Sequence, residues 1–175
     1  MTTLTPRELE EYKALRKTIR QRGTARVWVV LAGLTAWGSL VLATAAVMPM
    51  PVATVLPLLI LATTFEIVFA LHTGVERIGR YIQVFLEDGS GWEHTAMTLP
   101  TSRGKVDPLF ANYFRIGAIL NVVPAATARA VPVEWAFVGA IHLLFIVRVA
   151  LARRQAGRQR ASDLEHFQKL KQPGS

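Results

Sequence analysis

The chain has 175 residues, 51% of them hydrophobic and 18% charged, with a mean hydropathy of +0.32 and a formal charge of +8. The hydrophobic share lies above, and the charged share below, those of ordinary soluble domains. There is no cysteine, which excludes disulfides, thiolate metal sites and cysteine nucleophiles together.

Residues 1–26 read as a basic cytoplasmic helix. In TPRELEEYKALRKTIRQRG, Thr5 can cap, Pro6 suits the first helical position, Glu8 completes a capping box and Gly23 suits the end. Leu9, Tyr12, Arg16 and Ile19 form only a thin apolar stripe, so the helix is either solvated or lies on a charged surface. Arg16, Lys17, Arg20 and Arg22 are candidate contacts for anionic headgroups or a protein partner. Nucleic acid is not expected, because the cations flank apolar blocks and are not interleaved with exposed aromatic rings.

Apolar residues then gather in four blocks, about 27–48, 52–72, 109–128 and 131–152, each long enough to cross a hydrocarbon layer of about 30 Å at 1.5 Å per residue. Helix is the expected form, since backbone groups in lipid must bond within the segment and no alternating barrel pattern is present. The ATAAV in the first block resembles a signal-peptidase site, but its leader and apolar run are too long for an ordinary secretory signal. The expectation is an all-α integral membrane protein: an antiparallel four-transmembrane-helix bundle, membrane domain 27–152.

After the second block, Val75, Ile78, Ile82 and Phe85 recur at helical spacing, predicting an amphipathic cytoplasmic extension to about Glu87. EDGSG breaks it, WEHTAM adds a turn of helix with Trp92 at the interface, and LPTSRGKVDP completes the 73–108 loop. In the tail, 153–175, SDLE at 162–165 is a second capping-box pattern, followed by Leu164, Phe167 and Leu170; Arg153 and Arg154 join the candidate lipid or partner contacts.

Seven Lys and Arg precede residue 27 and more lie in the 73–108 loop and the tail, whereas the PMP turn has none and the turn near Pro124–Pro132 has only Arg129. Positive residues are retained on the cytoplasmic side, so both termini and the central loop are expected there. Arg outnumbers Lys 15 to 5, which by association with GC-rich bacterial genes points to a bacterial cytoplasmic (inner) membrane.

Three charges fall inside the apolar blocks. Glu66 and Arg115 each lie six residues, about 9 Å, from the expected cytoplasmic ends of their spans, and Arg148 about 6 Å. An unpaired charge there costs several kcal/mol, so a network is expected: Glu66 with Arg115, joined by Arg148 and by Asn112, one turn from Arg115. Its role is a tie between spans or, if Glu66 titrates, an ion or proton site.

His142 lies about 15 Å from either surface, where a neutral imidazole bonded to a neighbouring helix is the usual arrangement, and Asn121 is at similar depth. Haem is disfavoured because His72, the other histidine near a span, is about 15 Å shallower. A metal could instead use His72 and Glu76, which share a helix face, with Glu93 or His94. No cofactor is expected.

No nucleophile elbow, phosphate loop, dinucleotide fingerprint or zincin motif is present. Gly33, Gly38, Ala136, Gly139 and Ala140 allow close helix approach. The reading is a non-enzymatic polytopic membrane protein acting in assembly, scaffolding or regulation through its cytoplasmic helices, with a protein partner or a homo-oligomer. The alternatives are an oligomeric transporter or ion or proton conductor using Glu66, and a membrane metalloprotein using His72 and Glu76.

Overall fold

The computed structural model describes residues 4–48, 50–87, 91–98, 107–126 and 131–172, and every regular element among them is helical. In chain order these are α1 (Pro6–Val47), a 3-10 turn (Pro51–Thr54), α2 (Val55–Tyr81) running into a π turn (Ile82–Leu86), α3 (Trp92–Thr98), α4 (Ala111–Asn121), α5 (Val123–Ala126) and α6 (Pro132–Lys171). Three helices are long and apolar enough to cross a membrane: α1, α6, and α2 with its flanking turns. The chain therefore has the helices of a membrane protein.

The start of α1 follows from its capping box. The Thr5 amide donates to Glu8 Oε2 at 2.8 Å, and the Glu8 amide donates to Thr5 Oγ1 at 3.3 Å, satisfying donors that the first turn leaves open. The helix does not stop at Gly23, where sequence suggested an end, but runs unbroken for 42 residues. One interior glycine costs about 1 kcal/mol relative to alanine, too little to end a helix with strong helix formers on both sides. The SDLE pattern likewise lies inside α6, which is continuous for 40 residues and needs no new start.

The third apolar block departs most from expectation. Among the described residues between 109 and 126 there is no membrane-length helix, only the 11 residues of α4 and the 4 of α5. Pro124 has no amide to give to Leu120, and the β-branched Val122 and Val123 add little helix propensity. The Val122 amide instead donates to the Ile119 carbonyl at 3.2 Å, tightening the last turn of α4. At its other end α4 begins on Phe110, the only described non-glycine residue at positive φ (51°), with the Asp107 carboxylate accepting from the Leu109 and Ala111 amides.

Contacts divide the chain into two compact units. The first comprises Met1–Ala25, Ala70–Val106 and Arg154–Ser175, the second Arg26–Phe69 and Asp107–Arg153.

In the second unit α2 is the central helix, with 50% of its apolar window buried against 11% for α1 and 28% for α6. Leu61, Phe65 and Val68 are fully covered. Phe65 meets Phe114 of α4 edge-on at 5.2 Å and Phe145 of α6 at 6.2 Å, favourable arrangements for ring quadrupoles. A Cβ on Gly33 would lie 2.3 Å from Thr64 side-chain atoms, so α1 and α2 touch where the glycine permits it. Gly117 similarly admits Leu61, whereas Gly38 and Gly139 face open space.

In the first unit the 70–86 segment is the hub. The Tyr81 and Phe85 rings lie 4.9 Å apart, tilted by 37°, and Phe167 of α6 meets both edge-on at 5.9 and 6.0 Å. Tyr81 also donates to Glu11 of α1 at 2.7 Å. The π turn buries Ile82, Val84 and Leu86, and Lys171 donates to the Val84 carbonyl, which the end of the helix leaves open.

Candidate functional site

The second unit holds a buried polar network centred on Asn121, a fully covered residue at the end of α4. The amide Oδ1 accepts from Trp37 Nε1 of α1 at 3.0 Å, and Nδ2 donates to the Thr54 carbonyl at 2.7 Å. Its second Nδ2 hydrogen meets His142 Nε2 of α6 at 2.9 Å. The tautomer follows: His142 Nδ1 lies 2.8 Å from the Val138 carbonyl, which can only accept, so Nδ1 carries the proton and Nε2 accepts from Asn121. One amide thus joins α1, the turn before α2, and α6, with both its hydrogens engaged. Sequence placed Asn121 and His142 at one depth; Trp37 and Thr54 it did not single out, although a buried indole N–H requires an acceptor.

Glu66 pairs with Arg148, Oε2 to Nη2, at 2.8 Å, and its side chain is 50% exposed. The Arg148 guanidinium also lies over Phe69 at 4.8 Å and Phe65 at 5.6 Å, a cation-π seat that covers part of its charge. The expected bond between Glu66 and Arg115 is not formed; Arg115 donates to Asn112 at 3.5 Å. The reason is rotational: Phe65 and Phe114 occupy the line between α2 and α4, and Glu66, one residue on, turns about 100° towards α6. Of the four residues expected in one network, the structure makes two separate pairs.

In the first unit many charged side chains pair with one another. Arg16 reaches Glu93 at 2.6 Å and Glu87 at 3.4 Å. The Glu87 carboxylate also accepts from the Glu93 amide and lies 3.3 Å from His94 Nδ1. Burial opposes the Arg16 charge, but Tyr12 and Glu93 outweigh it and raise its pKa. Glu76 takes Arg160 at 2.7 Å and Arg80 at 3.7 Å, and Arg77 takes Asp163 at 3.2 Å. At the border of the second unit, Arg153 pairs with Asp107 at 2.8 Å.

These pairs sort the expected surface cations. Arg16 and Arg153 are engaged by carboxylates, and Arg22 lies across Gly74, where a Cβ would meet its guanidinium. Lys17, Arg20 and Arg154 are exposed, with no ion pair to any described residue.

The alternative metal site, His72 and Glu76 with Glu93 or His94, is not assembled. Glu76 and Glu93 are held by arginines, His94 faces Glu87, and His72 is buried elsewhere on α2. Among the described residues no three of His, Asp and Glu are grouped to hold an ion. The second unit also has a cavity of about 210 Å³, lined mainly by apolar groups including Met48, Met50, Val123 and Pro124, with Thr54 on its wall.

Chemically, then, the polar side chains form ties: buried hydrogen bonds in one unit, ion pairs in the other. What defines the chain as a class is an all-helical fold with three membrane-length apolar helices. No protein-family model, curated protein or solved structure matches it.

Proposed function

We propose that this is a non-enzymatic integral protein of a bacterial cytoplasmic membrane that crosses four times, keeps both termini in the cytoplasm, and works in assembly, scaffolding or regulation by docking a partner on its cytoplasmic helices. The observation that carries the reading is the first unit itself. Segments from α1, α2 and α6 are knit together there by Tyr81 with Glu11, Arg16 with Glu87 and Glu93, and Phe167 with Tyr81 and Phe85. Such a unit gives a small membrane protein a fixed surface for a partner, and its charged groups are arranged in ties rather than around a reacting centre.

The fourth crossing rests on α4 and α5. Their 111–126 stretch is about 24 Å if straight, against the roughly 30 Å of a hydrocarbon layer. Trp28 and Tyr113 are exposed near the expected cytoplasmic ends of their apolar blocks, as interfacial belts require. The test is crosslinking and copurification of the full chain against chains lacking 1–22 or 160–175. Partner recovery that survives both deletions, or no reproducible partner, would remove the reading.

A further inference from the structure

We infer that the exposed cations Lys17, Arg20, Arg154 and Arg158 form an anionic-lipid contact that fixes the chain in the headgroup layer. This rests on the membrane reading above and names a partner for it. Sequence alone offers Arg16, Lys17, Arg20, Arg22, Arg153 and Arg154 as equivalent candidates; the structure divides them.

Arg16, Arg77, Arg153 and Arg160 are each within salt-bridge distance of a carboxylate in their own unit, as are Lys13 and Lys169. Lys17, Arg20, Arg154 and Arg158 are exposed, and no described residue offers them an ion pair or side-chain hydrogen bond. Cations left open on two separate helices are available to an anion from outside the chain.

The chemistry of that anion follows from where the four residues stand on their own helices. At about 100° per residue, Lys17 and Arg20 share a face of α1 with Trp28 and Leu31, which are 67% and 52% exposed. Arg154 and Arg158 share a face of α6 with Leu144, Val147 and Leu151, all exposed. On each helix one outward stripe is apolar along the span and basic beyond it. Arg20 is six residues from Arg26 and Arg158 five from Arg153, about 9 and 8 Å along the axis, with Arg154 closer and Lys17 about 14 Å out. The headgroup layer is roughly 5–8 Å deep on each side, and Lys and Arg stems reach several Å further. An acidic protein would need no such continuity with an acyl-facing stripe; a phospholipid has the phosphate and the tails in that order.

The full-length chain is reconstituted in vesicles of equal phosphatidylglycerol and phosphatidylcholine, extracted gently, and its retained lipid is quantified. The parent is expected to hold phosphatidylglycerol in excess, less so when salt cuts the Debye length below about 5 Å. In Lys17→Gln with Arg20→Gln, Arg154→Gln and Arg158→Gln, the excess should fall at least about fivefold, the equivalent of one surface cation. Arg7→Gln with Lys13→Gln and Lys169→Gln, equally exposed but about 20–29 Å beyond Arg26 and Arg153 along the helix axes and so clear of the headgroup layer, should keep it. If only net charge mattered, that triple variant would lose about three quarters as much; that result, or a parent without phosphatidylglycerol excess, overturns the inference. Helicity and vesicle insertion are read on the same samples, and a parent that fails to insert would refute the membrane reading beneath it.

Discussion

Replacing Asn121 with alanine should unfasten the second unit more than any other single polar substitution there. The change leaves three groups without their partner: the Trp37 indole N–H, the Thr54 carbonyl and His142 Nε2. Interhelical hydrogen bonds in membranes average about 0.6 kcal/mol, and a buried group left unsatisfied costs about 1–3 kcal/mol. Three bonds at the lower figure sum to about 2 kcal/mol, and one strongly orphaned group raises the loss to about 4 kcal/mol. Unfolding in mixed micelles with rising anionic detergent, followed by circular dichroism, measures it. The cycle with His142→Ala isolates the shared bond, and the double variant should lose about 0.5–1.5 kcal/mol less than the sum of the singles. A loss below about 0.5 kcal/mol for Asn121→Ala, or strict additivity with His142→Ala, would show that the amide does not tie α4 to α6.

Gly33→Ala should destabilise by about 1–3 kcal/mol, because Thr64 is branched, holds the Ile60 carbonyl with its hydroxyl and cannot yield to a new Cβ. Gly38→Ala should be neutral or slightly stabilising, since nothing lies within 4 Å of its Cβ position; the same unfolding assay compares them. Arg148→Gln should reduce thermal stability in detergent more than Glu66→Gln does, because it also removes the cation from Phe65 and Phe69. Equal losses would mean the ring contacts contribute nothing. Burial pushes the Asp107 carboxyl up, but Arg153 and the Ala111 and Leu109 amides outweigh it and hold it below its ordinary value. A carboxyl lowered in the folded state contributes stability above its unfolded pKa of about 3.9 that is lost as pH falls through the folded value. Asp107→Asn should therefore destabilise at pH 6 and flatten the acid limb below about pH 4; an unchanged acid limb would contradict the assignment.

Much of the helical plan was readable because apolar length is a strong signal. The blocks that became α1, α2 and α6 are long, and the periodic Val75, Ile78, Ile82 and Phe85 carry α2 into its π turn. The capping box at Thr5 and Glu8 was readable for a local reason, since its partners are three residues apart. The interruption near Val122 was less so: composition measures hydrophobicity, and Pro124 with two valines changes the backbone without changing it. Depth placed Glu66, Arg115 and Arg148 in one layer, yet depth contains no angle, and rotation about α2 is what gives Glu66 to Arg148. Depth sufficed for Asn121 and His142 because both lie on inward faces. Which cations are free is a tertiary property: Arg16 and Lys17 are neighbours in sequence, and only the fold brings Glu87 and Glu93 to the first.

The measurement that bears most directly on the account is sidedness, and the absence of native cysteine makes it clean. Single cysteines at Glu10, Met50, Trp92 and Gln168 would be labelled with a membrane-impermeant maleimide in intact cells and in inverted vesicles. Four crossings with cytoplasmic termini predict that Glu10→Cys, Trp92→Cys and Gln168→Cys react only in inverted vesicles, and Met50→Cys only in intact cells. If Gln168→Cys instead reacts from outside, α4 and α5 do not complete a crossing, the termini lie on opposite sides, and a joint cytoplasmic unit cannot exist.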